Sequence, residues 1–230
     1  MLFRSDIREN NRPSNPELLA CLEKELVSSG FNLRQLKQLI FTSTAYQFSS
    51  IPRFKTPEAR ANFASYLLRR VEAEVLIDAL NEITGSSDLY TSAVPEPFTY
   101  IPKDMSAVAL ADGSITSSLL TLFGRSSRST GFEAERVSEL ASTKWLYMLN
   151  SGQIQNKLQG GPKLNALISA GGKTNEIAER LYLTILSRLP TEADMRTVEE
   201  YAKVGVTKGR DMWIDLAWAL VNSPEFLLRH

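Results

Sequence analysis

Cysteine occurs once in the 230 residues, as Cys21, and histidine once, as His230. A lone thiol forms no internal disulfide. One cysteine and one terminal histidine cannot assemble a thiolate zinc site, an iron–sulfur cluster or a covalent haem attachment. The same shortage excludes multi-histidine metal centres and Ser-His-Asp or Cys-His catalysis within the chain. Carboxylate, lysine and tyrosine chemistry stay open. Surplus charge is also missing: Lys+Arg and Asp+Glu number 26 each, so the formal net charge is zero. A general nucleic-acid binder needs a basic excess. No apolar run approaches the ~20 residues of a membrane span, and the opening MLFRSDIREN has no apolar h-region. The expectation is therefore no metal, no haem or other cofactor, no nucleic-acid partner and no membrane span. On these grounds alone the chain reads as cytoplasmic or as a piece of a longer protein.

What is present is helix punctuation. Asn15-Pro16 places a capping side chain before a proline at the first helical position. Leu18, Leu19, Leu22 and Leu26 follow at helical spacing, and Gly30 is a natural stop. Asn32 then opens a second helix with Leu33, Leu36, Leu39 and Ile40, so a helical hairpin is expected. Thr56-Pro57 repeats the signal ahead of EARANFASYLLRRVEAEVLIDALNEITG, the longest helical pattern, which Gly85 ends. Its apolar residues cover a wide arc, as in a central helix. A pattern this long is open to a break near Tyr66.

From about 86 to 114 the periodicity fails among Pro95, Pro97 and Pro102, predicting an irregular crossing segment. Helical patterns then resume to the end, with Gly152 dividing one of them, Thr191 and Asp194 forming a capping box, and Ser223-Pro224 opening a last turn. No strict apolar/polar alternation stands out. The expected fold is all-α: an irregular multi-helix bundle over 1–230, one domain with a long central helix and one long crossing loop.

Two charged constellations are candidates for a site. Arg70, Glu74 and Asp78 recur at i, i+4, i+8, which makes them a stripe along one face of the long helix. They read as paired carboxylates or as an Arg–Glu ion pair extended by an acid. The stretch LFGRSSRSTGFEAERVSEL carries Arg125, Arg128, Arg136, Glu133 and Glu135 around Gly124 and Gly131. Guanidinium forks suit phosphate, sulfate or carboxylate. They equally suit pairing with Glu74, Asp78, Glu133 or Glu135 across helices. Gly171-Gly172-Lys173-Thr174 has the end of a phosphate loop, but position 167 is Leu and a helical pattern precedes it, so the loop is rejected. Trp145, Trp213 and Trp218 sit among aliphatic neighbours, as core residues do.

These segments resemble a known family. RPSNPELLACLEKELVSSGFNLRQLKQLIFTSTAYQFSS is similar to its Asn-Pro-x-Leu-Leu hairpin, with the closing Ile-x-x-Ser-x-x-Tyr-x-x-Ser kept as Ile40, Ser43, Tyr46 and Ser49. RRVEAEVLIDAL resembles its Arg-Arg-Leu-x-Ala-Glu helix, with Val71 in place of Leu. FGRSSR and EAERVSE look like its Phe-Gly-Arg-Pro-x-Arg and Cys-Glu-Arg run, with Ser126 for Pro and Ala134 for Cys. LYLTILSRLPTEAD and WALVNSPEFLLRH resemble its closing helices, with Arg229 for the usual Asn. The family is the planctomycete C-terminal domain of unknown function 1553. The resemblance implies the end of a larger extracytoplasmic protein, here without the start of the family domain. It also implies a setting beside polysaccharide degradation. Cytochrome-c-like modules occur elsewhere in such proteins, and any haem would belong to them. The expected function is a non-catalytic interaction or scaffold module, its partners other domains of the parent protein or exported proteins. Two alternatives stay open: a carboxylate-based carbohydrate-handling domain using Glu74, Asp78, Glu133 and Glu135, with polysaccharide as its partner, and an Arg-cluster binder of anions or sulfated glycans.

Overall fold

The computed structural model describes residues 12–13, 15–92, 94, 98, 100–110, 115, 117–125 and 142–229. It is predominantly α-helical, with one two-stranded ladder among the described residues. The chain groups into two compact units, Met1–Arg69 with His230, and Arg70–Arg229.

The first unit opens with helix α1 (Pro16–Ser28), started by Asn15, whose side chain accepts the Leu18 N–H at 2.9 Å. The turn runs through Gly30 and Phe31, both left-handed at φ 66° and 63°. Asn32 then caps α2 (Leu33–Phe41), its Oδ1 accepting from Arg34 and Gln35. The hairpin seam is Leu22 and Leu26 against Leu36 and Ile40, all only half-buried. Neither helix has a fully buried side chain. Beyond α2, Phe41, Tyr46 and Tyr66 meet edge to face, with ring centroids 5.1 and 6.1 Å apart. Thr56 caps the short α3 (Pro57–Ala61).

The long helical pattern resolves into separate pieces, so the central helix is shorter than its sequence suggests. After α3 the chain turns at Asn62, and Phe63 is left-handed at φ 54°. It then extends into strand β1 (Arg69–Arg70) before α4 (Ala73–Thr84) begins. The cause is tertiary. The Val71 N–H donates to the Leu227 carbonyl at 2.9 Å, beside the ladder of β1 with β2 (Leu228–Arg229). A helical N–H at Val71 would instead bond four residues back. The wide apolar arc also divides: Leu67 and Leu68 stay exposed, whereas Leu76, Ile77 and Leu80 are fully enclosed.

Within the second unit α4 is central. It is packed against a 3-10 turn (Ala107–Ala109), α5 (Ser118–Leu122), α7 (Gly152–Gly160) and α8 (Pro162–Ser169). Leu119, Leu120, Ile154, Leu158 and Leu164 fill the space around it. Two glycines permit the close approach at its C-terminal end. A Cβ on Gly161 would lie 2.6 Å from the Thr84 carbonyl, and one on Gly85 would lie 2.7 Å from the Lys163 Cβ. Helix α6 (Ser142–Asn150) contributes Met148. The remaining helices are α9 (Thr174–Leu186), α10 (Glu192–Val204), α11 (Arg210–Val221) and α12 (Pro224–Leu227). Trp213 is buried, and Trp145 and Trp218 pack on the core from its edge. The irregular segment is not idle covering: Tyr90, Ala107 and Leu110 are buried in the same core.

Candidate functional site

Glu74 and Asp78 of α4 face inward, whereas Glu82 at its far end is exposed. Glu74, on its first turn, is buried, and its Oε1 lies 3.4 Å from Arg125 Nε, with side-chain exposures of 9% and 8%. Arg125 reaches it from the turn that ends α5. There Gly124 is left-handed at φ 81°, and the Arg125 N–H donates to the Leu120 carbonyl at 2.9 Å. The rest of the guanidinium donates to the carbonyls of Leu110, at 2.9 Å, and Ile115. One cation thus closes the crossing segment, α5 and α4 around itself. A guanidinium so shared among a carboxylate and two carbonyls has little left for a ligand.

Asp78 stands one turn further along α4. Its two oxygens accept the N–H groups of Ala107, at 2.6 Å, and Val108, at 3.0 Å. It caps the 3-10 turn from outside, because the free N–H groups of a helical start attract an anion. Arg70 lies on β1 rather than on α4, so the three-residue stripe reduces to Glu74 and Asp78. The reason is the extended backbone that ends at Glu72, the N-cap of α4. Arg70 donates to the Phe123 carbonyl at 2.6 Å and to its neighbour Val71 at 2.9 Å, and its guanidinium lies 5.4 Å from the Phe123 ring centre. Burial pulls the Arg70 guanidinium below its ordinary value, against the opposing pull of Glu72 and Glu74. Burial, with Asp88 and Asp78 adding, pushes the Tyr90 phenol up, against Arg125. Arg128, Arg136, Glu133 and Glu135 lie outside the described residues.

Two further charged knots were not singled out from the sequence. Lys157 on α7, 8% exposed at its side chain, places its ammonium 2.9 Å from Asp88, 2.6 Å from Asn81 and 3.1 Å from Ser86. Gln153 donates to the other Asp88 oxygen at 3.1 Å and accepts from the Tyr147 hydroxyl at 2.8 Å. Ser86, Asp88, Gln153 and Lys157 border an open cleft of about 610 Å³, lined also by Ser87, Asn156 and Gly160. Arg188 forks onto Glu225, at 2.7 and 2.9 Å, and onto Asp194, at 2.8 Å. It lies 5.2 Å from the Tyr182 ring centre. The capping box of Thr191 and Asp194 marked one partner of this knot, but nothing local marked Glu225. The Gly171-Gly172-Lys173 turn follows helix α8, and the Lys173 N–H is taken by Glu176 at 3.2 Å. Among the described residues no group of three or more His, Cys, Asp or Glu stands together as a metal site. No described helix is long and apolar enough to cross a membrane.

A family model described as "Protein of unknown function (DUF1553)" matches residues 4–202. No curated protein and no solved structure matches the chain.

Proposed function

The chain belongs to the DUF1553 family, and from that premise we propose that it is a non-catalytic helical scaffold and interaction module of a larger exported protein. The observation that carries this reading is the engagement of Arg125. Its guanidinium is buried between Glu74 and the carbonyls of Leu110 and Ile115. Glu74 and Asp78 are likewise spent on Arg125 and on backbone N–H groups. A general acid or base needs an accessible carboxyl near a reacting group, and an anion site needs an unengaged guanidinium. The charges of this cluster hold segments of the second unit together instead. The family resemblance supports a place outside the cytoplasm, with other domains of the parent protein or exported proteins as partners.

The test is a double-mutant cycle on Arg125→Met and Glu74→Gln, read by urea unfolding. Each single change should cost about 3–5 kcal/mol, since it strands a buried partner. The double change should cost clearly less than the sum. Additive losses would overturn the strut. So would a sulfated disaccharide that raises the wild-type melting temperature but not that of Arg125→Met.

A further inference from the structure

The hairpin of the first unit presents a second face beside its seam. On α1, Leu19, Glu23 and Val27 follow one another at i, i+4, i+8; on α2, Leu33, Lys37 and Phe41 do the same. Residues at this spacing are neighbours on a helix surface. Each stripe is rotated from the seam leucines in the same sense, and in an antiparallel hairpin equal rotation brings both stripes to one side. The four apolar members are open to solvent: Leu19 is 50%, Val27 60%, Leu33 60% and Phe41 53% exposed. Glu23 and Lys37 are exposed too, and neither has an ion-pair partner among the described residues. The face thus has apolar ends and two central charges of opposite sign, one per helix. The opposite flank lacks this symmetry, since Leu18 and Leu39 are bordered there by Glu25 and Gln35, an acid without a base.

Such a face is complementary to itself. We propose that two copies of the chain dock hairpin to hairpin across it, forming an antiparallel four-helix bundle. With the two-fold axis parallel to the helices, α1 of one copy lies on α2 of the other. Leu19 then meets Phe41, Glu23 meets Lys37, and Val27 meets Leu33, each contact made twice, as a two-fold interface requires. A two-fold axis across the helices would set Glu23 against Glu23, and like charges reject that arrangement. All neighbouring helices are then antiparallel, as in up-and-down bundles. The contact also covers apolar area that neither helix buries alone. This assembly deepens the interaction-module reading and rests on it.

Sedimentation velocity of the full chain over a range of concentrations tests the assembly. The wild type should form a dimer. Glu23→Lys and Lys37→Glu should each raise the dimer dissociation constant about tenfold or more, because two attractive pairs become two repulsive ones. The double swap should return it to within about threefold of wild type, since the face is again self-complementary. An equimolar mixture of the two single variants should form a heterodimer, although each alone is impaired. Circular dichroism checks that the exposed substitutions leave the helices intact. A monomer at every concentration overturns the assembly, as does a dimer indifferent to both charge changes or a mixture that stays apart. If the chain is monomeric while the Arg125–Glu74 cycle is non-additive, the assembly falls and the scaffold reading stands. If the dimer forms while that cycle is additive, the reverse holds.

Discussion

Single residues set two sharp conditions on this fold. Burial alone would raise the Asp194 carboxyl, but the Arg188 guanidinium and the backbone and hydroxyl of Thr191 outweigh it and hold it at about 2. Its folded value lies below the ordinary aspartate value of about 4. Its stabilising contribution is therefore complete above that value and is lost as pH falls from about 4 towards 2. The melting temperature of wild type should fall more steeply over that window than that of Asp194→Asn, and parallel profiles would contradict the assignment. Gly161 sets a steric condition. Its φ of −64° suits any residue, so only space forbids a side chain. The Thr84 and Lys157 carbonyls each lie 2.6 Å from the position of a Cβ, and neither can swing aside. Gly161→Ala should cost about 1–3 kcal/mol in urea unfolding by overpacking; a neutral change would mean that α4 and α7 slide apart freely.

Among the elements, helix starts were legible because their hydrogen bonds are local. Asn15, Asn32, Thr56, Thr191 and Ser223 each cap a helix by accepting from a backbone N–H within the next three residues. The length of the pattern marked a break near Tyr66, and the helix is indeed interrupted there, between Ala61 and Ala73; the extent and cause of the break were not legible. The break depends on Leu227, far along the chain, accepting from Val71. The charges show the same divide. The acidic and basic residues of the cluster stand out in the sequence, but the choice of Glu74 for Arg125 spans α4, the crossing segment and α5. The Lys157 knot escaped notice because its partners, Asn81, Ser86 and Asp88, sit on and just after α4. Helix α12 and β2 link these observations. They supply buried Leu227, the Glu225 of the Arg188 fork and the ladder against β1. Removing the chain from Asn222 onward should cost at least ~3 kcal/mol and lower the melting temperature by about 6 °C or more. Differential scanning calorimetry gives the comparison, and an unchanged melt would show that this tail is not part of the core.

Across the whole molecule, burial is unevenly shared. Among the described residues, every member of the hydrophobic core lies between Ala73 and Leu227, and those of the first unit contribute none. Apolar burial is the main source of cooperative stability. Urea unfolding should therefore show two steps, the earlier one reported by hydrogen exchange of α1 and α2 amides and the later one by α4 amides. Exchange that collapses in one step across all three helices would show that the units unfold together. The β1–β2 ladder has a consequence of another kind. It brings the points where the chain enters and leaves the second unit side by side, about 5 Å apart as paired strands are, with Arg229 3.7 Å from Glu72. In backbone terms that unit is a nearly closed ring. A closed ring can be cut elsewhere and rejoined at its seam, and it can sit inside a longer polypeptide without pushing the flanking segments apart.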